Sequence, residues 1–200
     1  MNFLAHLYLS GNERGIIIGN FIADHVKGRL SEQFSEEIRN GIILHKAIDE
    51  FTDNHPVVRN SVTELRSGFR KYAGVVLDMF FDHYLAAGWD NWMDEPLEQF
   101  SKRMYGILMD NFSVLPTRTK HMLPYMIRGN WLLHYREIEG LNQALNGMAR
   151  RTAFQSNMEK AAVELRDRYA FYGCQFDSFF PELRAFSAEK LFEITRNSGV

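Results

Sequence analysis

Cysteine is nearly missing: Cys174 stands alone among 200 residues, which excludes an internal disulfide and any zinc site built on several thiolates. No apolar run approaches the roughly 20 residues of a spanning helix, so no membrane insertion is expected. The opening Met1-Asn2-Phe3-Leu4-Ala5-His6-Leu7 lacks the basic flank and small-residue cleavage site of a secretory signal, and a cytoplasmic protein is the expectation. There is no Gly-x-x-x-x-Gly-Lys phosphate loop, dinucleotide glycine fingerprint, Gly-x-Ser-x-Gly elbow or His-Glu-x-x-His zinc helix. The Glu-x-x-His pairs of di-iron carboxylate bundles are missing as well. A net charge of only −2 gives no footprint for nucleic acid.

Charge is present but unevenly spread. Residues 1–100 carry 9 Lys and Arg against 15 Asp and Glu, whereas residues 101–200 carry 14 against 10. An acidic half offers metal ligands and a basic half offers a face for an acidic partner; the plain alternative is ordinary solvated surface in both. Apolar residues at 46% and charged residues at 24% are a globular balance. A chain this long buries about 70% of its unfolded surface, enough for one domain over residues 1–200.

Apolar periodicity predicts helices near 13–27, 35–53, 57–71, 73–87, 95–112, 117–135, 137–150, 154–173 and 181–196, with Gly15–Ile18 the only weak strand candidate. The prolines fall between or at the starts of such segments and read as punctuation. Ser35-Glu36-Glu37 predicts a capped helix start, and Asp53–Pro56 a stop. The expected architecture is an all-α bundle of about eight or nine helices.

Ionisable residues stand where this pattern calls for core. Ile38, Ile42, His45, Asp49 and Thr52 share one helical face, which places an imidazole and a carboxylate one turn apart as a two-toothed chelate. The segment 74–85 is apolar nearly all round yet contains Asp78, Asp82 and His83. Two acids one turn apart in such a helix repel unless a cation lies between them or one keeps its proton. Asp24 closes another apolar stretch, and His6 lies in a third. Imidazole and carboxylate ligands together suit Mn²⁺, Fe²⁺ or Zn²⁺ and favour hydrolysis. For each residue singly the alternative is a satisfied polar group in a core.

The opening Met1–Leu7, Gly19-Asn20-Phe21-Ile22-Ala23-Asp24, His45-x-x-Ile48-Asp49-x-x-Thr52-Asp53, Leu77-Asp78-x-x-x-Asp82-His83-Tyr84-Leu85 and Asn146–Arg150 together resemble the bacterial acyl carrier protein phosphodiesterase family. The resemblance implies hydrolysis of the phosphodiester that joins 4′-phosphopantetheine to a serine of holo-acyl carrier protein. It also implies an all-helical fold distorted from that of the HD phosphohydrolases and a divalent cation, Mn²⁺ by family habit. The chain departs from the HD signature: it has no His-Asp dipeptide and carries the reverse pairs Asp24-His25 and Asp82-His83. By resemblance the metal pool is Asp24, His45, Asp49, Asp78 and Asp82, with His6 and His83 as acid–base residues and His25 and Asp53 in reserve.

An acidic carrier protein as partner gives the basic residues a role. Lys27, Arg29, Arg150 and Arg151 are the expected contacts, with Arg166 and Arg168 farther along, and Tyr84, Trp89, Trp92 and Trp131 are candidate walls for the pantetheine arm. A small-molecule phosphohydrolase and a non-enzymatic helical interaction protein remain alternatives.

Overall fold

The computed structural model describes residues 1–28 and 34–197, and Arg29 lies outside them. The described residues are helical without a strand. Helices α1 (Phe3–Tyr8), α2 (Arg14–Ile22), α3 (Glu36–Asn54), α4 (Pro56–Phe69) and α5 (Ala73–Ala87) make up the first part. They are followed by α6 (Leu97–Asp110), α7 (Thr117–Arg128), α8 (Trp131–His134), α9 (Ile138–Ala149), α10 (Ala161–Asp167) and α11 (Tyr169–Asn197).

Helix α5 is the central one, as its all-round apolarity predicts: Val76, Leu77, Met79, Phe80, Phe81, Leu85 and Ala86 are all fully buried. One hydrophobic cluster runs from Met1 to Ile194 and includes residues of nearly every helix. Helices α2 and α3 touch backbone to backbone. A Cβ placed on Gly19 would meet Ile38 O at 2.0 Å, and one on Gly41 would meet Ile16 O at 2.2 Å. Only glycine permits that approach, and it brings the end of α2 against the middle of α3.

Four local expectations are corrected. Helix α1, absent from the periodic reading, is six residues long and is held by tertiary partners at its start rather than by its own propensity. The segment expected as a helix over 117–135 breaks after Arg128, where Asn130 takes a left-handed conformation with φ +41°. Pro181 does not start a helix but lies inside α11, as Pro124 lies inside α7. Proline removes one N–H, and the burial of Phe176, Phe179, Phe180 and Leu183 around that turn outweighs the loss. Ser35 precedes α3 without a side-chain capping bond, whereas the stop before Pro56 stands: α3 ends at Asn54, and the His55 ring accepts from Val57 N–H at the head of α4.

Candidate metal centre

The close contact of α2 and α3 puts Asn20 under His45, and α1 lays His6 over the same spot. The two imidazoles stack with centroids 4.0 Å apart and planes 18° from parallel. Asn20, fully buried, orients both rings. Its side-chain nitrogen donates to His6 O and Ser10 Oγ, so its oxygen faces the rings and lies 2.8 Å from His6 Nδ1 and 3.1 Å from His45 Nδ1. His45 Nδ1 also lies 2.8 Å from Asn20 O, a carbonyl that can only accept. Both Nδ1 atoms therefore carry hydrogen, and in the neutral rings both Nε2 atoms present lone pairs.

Those lone pairs face carboxylates. His6 Nε2 is 3.2 Å from Asp49 Oδ1; His45 Nε2 is 3.1 Å from Asp49 Oδ2 and 3.3 Å from Asp24 Oδ1. At these ion-pair distances a protonated Nε2 pairs with the carboxylates, whereas an unprotonated one is buried without a hydrogen-bond partner. Lone pairs converging on carboxylate oxygens repel unless a proton or a cation stands between them. Burial alone would lower the His45 imidazole, but the Asp24 and Asp49 carboxylates outweigh it and raise it to about 9. Burial dominates at His6 and lowers it. Asp24 is held low by His45, and the two imidazoles hold Asp49 well below the usual carboxylate range against its burial. His6, His45 and Asp49 offer ligand atoms within 4.8 Å of one another and form a candidate metal-binding group, with Asp24 alongside. Two imidazole nitrogens with carboxylate oxygens fit a divalent transition ion.

Of the other expected site residues, Asp78 lines the cleft that Asp24 lines, whereas Asp82 and His83 are buried apart from it. Asp82, expected as a ligand, is fully buried and accepts three backbone bonds from the start of α1: from Leu4 N at 2.8 Å, Asn2 N at 3.2 Å and Ala5 N at 3.3 Å. Asp78 accepts from the α-amino group of Met1 at 3.0 Å. Burial outweighs these amides and pushes the Asp82 carboxyl up to about 7, while an ammonium of the chain itself meets Asp78. His83, expected as an acid–base residue, has Nδ1 2.8 Å from Tyr135 O, while its Nε2 accepts from the Tyr169 hydroxyl at 3.0 Å.

A cleft of about 650 Å³ opens beside Asp24. Its apolar wall includes Phe3, Met122, Tyr125, Trp131, Met148 and Met158; its charged and imidazole groups include His25, Arg118, His121 and Arg151. Among the described residues neither Arg118 nor Arg151 has an acidic partner, whereas Arg166 pairs with Glu139 and Arg168 with Glu64 at 3.1 Å. Of the expected contacts, Lys27 and Arg150 are exposed, and Arg151 lines the cleft. Of the expected aromatic walls only Trp131 is there; Trp89 and Tyr84 are core and Trp92 packs on Phe180. Sequence reasoning missed Asn20, Arg118 and His121. Asn20 had a signal, an amide in an apolar helix one turn before Asp24.

These features define a class, an all-helical protein in which two buried imidazoles meet partly exposed carboxylates, one of them lining an open cleft. Residues 1–183 match the acyl carrier protein phosphodiesterase family, and the chain belongs to that family. It is 33% identical over 195 residues to the acyl carrier protein phosphodiesterase of Shigella boydii serotype 4 (strain Sb227), covering 95% of this chain and 99% of the relative. The same identity and coverage hold for the enzyme of that name from Escherichia coli O157:H7. No solved structure is significantly similar.

Proposed function

We propose that this protein hydrolyses the phosphodiester between 4′-phosphopantetheine and a serine of holo-acyl carrier protein, releasing apo carrier and free 4′-phosphopantetheine. The relatives' names support that substrate. The observation that carries the reading is the convergence of the His6 and His45 Nε2 atoms on Asp49, with Asp24 at 3.3 Å from His45 also lining a cleft of about 650 Å³.

His6, His45 and Asp49 would hold the cation, with Asp24 completing the donor set from the cleft side, and Mn²⁺ is the ion the family resemblance favours. When bound, it supplies Lewis acidity: it activates water as a nucleophile near neutral pH and neutralises developing phosphoryl charge. The rest falls to side chains of the cleft and its surroundings. Asn20 fixes both imidazole planes, and the methionines and Trp131 take the apolar arm. Arg118 and Arg151 meet the phosphate and the carrier's carboxylates, with Lys27, Arg29 and Arg150 as further carrier contacts. The leaving serine oxygen needs a proton, and His25 and His121 are the imidazoles lining the cleft. His25 Nδ1 lies 2.8 Å from Thr119 Oγ1, and burial with Arg118 nearby holds the ring below its usual value.

The same reading takes residues 1–200 as one phosphodiesterase domain, a distorted relative of the HD phosphohydrolases, working in the cytoplasm. No helix among the described residues is long and apolar enough to cross a membrane. The test is incubation with holo-acyl carrier protein and Mn²⁺, followed by mass spectrometry of the carrier. Loss of the 4′-phosphopantetheine mass is expected. An unchanged carrier, with turnover of a small phosphate ester instead, would overturn the substrate assignment.

A further inference from the structure

Helix α1 is too short to be stable alone, yet it delivers His6, one of the three clustered ligands. The first amides of a helix have no intrahelical acceptor. Here one carboxylate accepts three of them: Asp82 Oδ2 takes Leu4 N, and Oδ1 takes Asn2 N and Ala5 N. The bonds span 77 to 80 residues of sequence and tie α1 to the central helix α5. Asp82 is fully buried, and its hydrogen bonds go to the amides of Asn2, Leu4 and Ala5 rather than to His6, His45 or Asp49. Beyond the carboxylate, α1 closes with the His6 ring on Asn20.

We infer that Asp82 is a positioning residue for the metal centre: its carboxylate clamps the start of α1 and thereby holds the His6 imidazole over Asn20 and Asp49. The role rests on the proposed cation centre for its consequence but not for its geometry, which exists in the chain alone. A buried acid on α5 thus serves the site one helix removed. It does so as an acceptor for amides, which explains why an acid belongs in an otherwise apolar helix. Burial pushes the Asp82 carboxyl up to about 7, and the α1 amides, at the positive end of that helix, act against the rise.

The test uses the full-length, cation-free protein first. In the wild type the His6 and His45 Nδ1–H groups, both hydrogen-bonded and buried, should give slowly exchanging imidazole proton resonances. Asp82→Asn should remove the His6 resonance and leave that of His45. Leu65→Ala, which lowers stability through α4, should leave both. Retention of the His6 resonance in Asp82→Asn would overturn the inference, as would loss of both in a variant that keeps the wild-type helix content. If Asp82→Asn does not fold, Asp82→Glu keeps the charge, displaces the oxygens by one methylene and carries the same expectation.

Mn²⁺ titration then distinguishes positioning from direct ligation. Asp82→Asn should weaken binding by about 10–100-fold, the usual loss for an outer-shell partner. In a His6→Ala background it should produce no further loss. Additive losses would make Asp82 a ligand in its own right and overturn the inference. A wild type that binds no Mn²⁺ would sink the cation centre, while the imidazole resonances would still decide the clamp.

Discussion

Two groups of buried ionisable residues look alike in the sequence and differ in what compensates them. On α5, Asp82 is answered by three amides, Asp78 by an ammonium and His83 by a carbonyl and a hydroxyl, all from the chain. Around α3, His6 and His45 are oriented just as firmly from their Nδ1 side but turn both Nε2 atoms onto carboxylates at 3.1–3.3 Å. The first group is met by the chain itself, with burial raising Asp82 to about 7, whereas the second calls for a proton or a cation at its Nε2 atoms. A buried acid in an apolar helix therefore marks a need for positive charge, but the fold decides whether amides or an external ion meets it.

The contrast breaks most sharply by mutation. Asp49→Ala should abolish Mn²⁺ binding and reduce hydrolysis of holo-carrier by about a thousandfold while the helix content holds. His83→Ala should do the reverse: about 2–4 kcal/mol of stability is lost through a cavity and an unsatisfied Tyr135 carbonyl, with Mn²⁺ binding retained. Isothermal titration and thermal melts of both variants decide it. Equal loss of metal binding in the two would erase the distinction.

Asn20→Ala sharpens it at the next level. Both rings lose their common acceptor, so Mn²⁺ affinity should fall by about 10–100-fold with modest loss of stability. An unchanged affinity in titration would show that ring orientation does not matter.

The proton that stands in for the cation gives a pH signature. His45 keeps its proton up to about pH 9 in the cation-free protein. Mn²⁺ must displace that proton, so apparent affinity should rise about tenfold per pH unit below this value and level above it. The sign for folding follows from a raised imidazole. In chelator the His45 contribution to stability is full below its ordinary value of 6.5 and is lost as pH climbs through about 9, which melts at graded pH can follow. A flat affinity profile would mean that His45 Nε2 is not where the ion binds.

The smallest effects belong to the rim. Arg118→Glu and Arg151→Glu should each raise KM for the carrier severalfold at low salt, and the gap to wild type should close as ionic strength rises. Salt-independent effects would point to a structural role for these arginines instead.

Much of this was legible in the sequence and some was not, for physical reasons. The stripe Ile38–Ile42–His45–Asp49–Thr52 reads directly from helical spacing, because α3 is one uninterrupted helix over Glu36–Asn54. The buried character of α5 reads equally well from its composition. Whether Asp82 faces a cation or a helix start depends on a contact some 80 residues away in the chain, which no local spacing encodes. Helix α1 escapes for the same reason, since it is stabilised by partners and not by its own six residues. Arg118 and His121 become visible only once α7 is folded against the cleft.

The central claim, that two imidazoles and Asp49 embrace a divalent ion, is tested most directly by pulsed electron paramagnetic resonance on the Mn²⁺-loaded protein. The account predicts nitrogen modulation from two histidines, reduced to one in His6→Ala and to one in His45→Ala, and unchanged in His83→Ala. Bound Mn²⁺ without nitrogen modulation, or modulation lost only in His83→Ala, would contradict it.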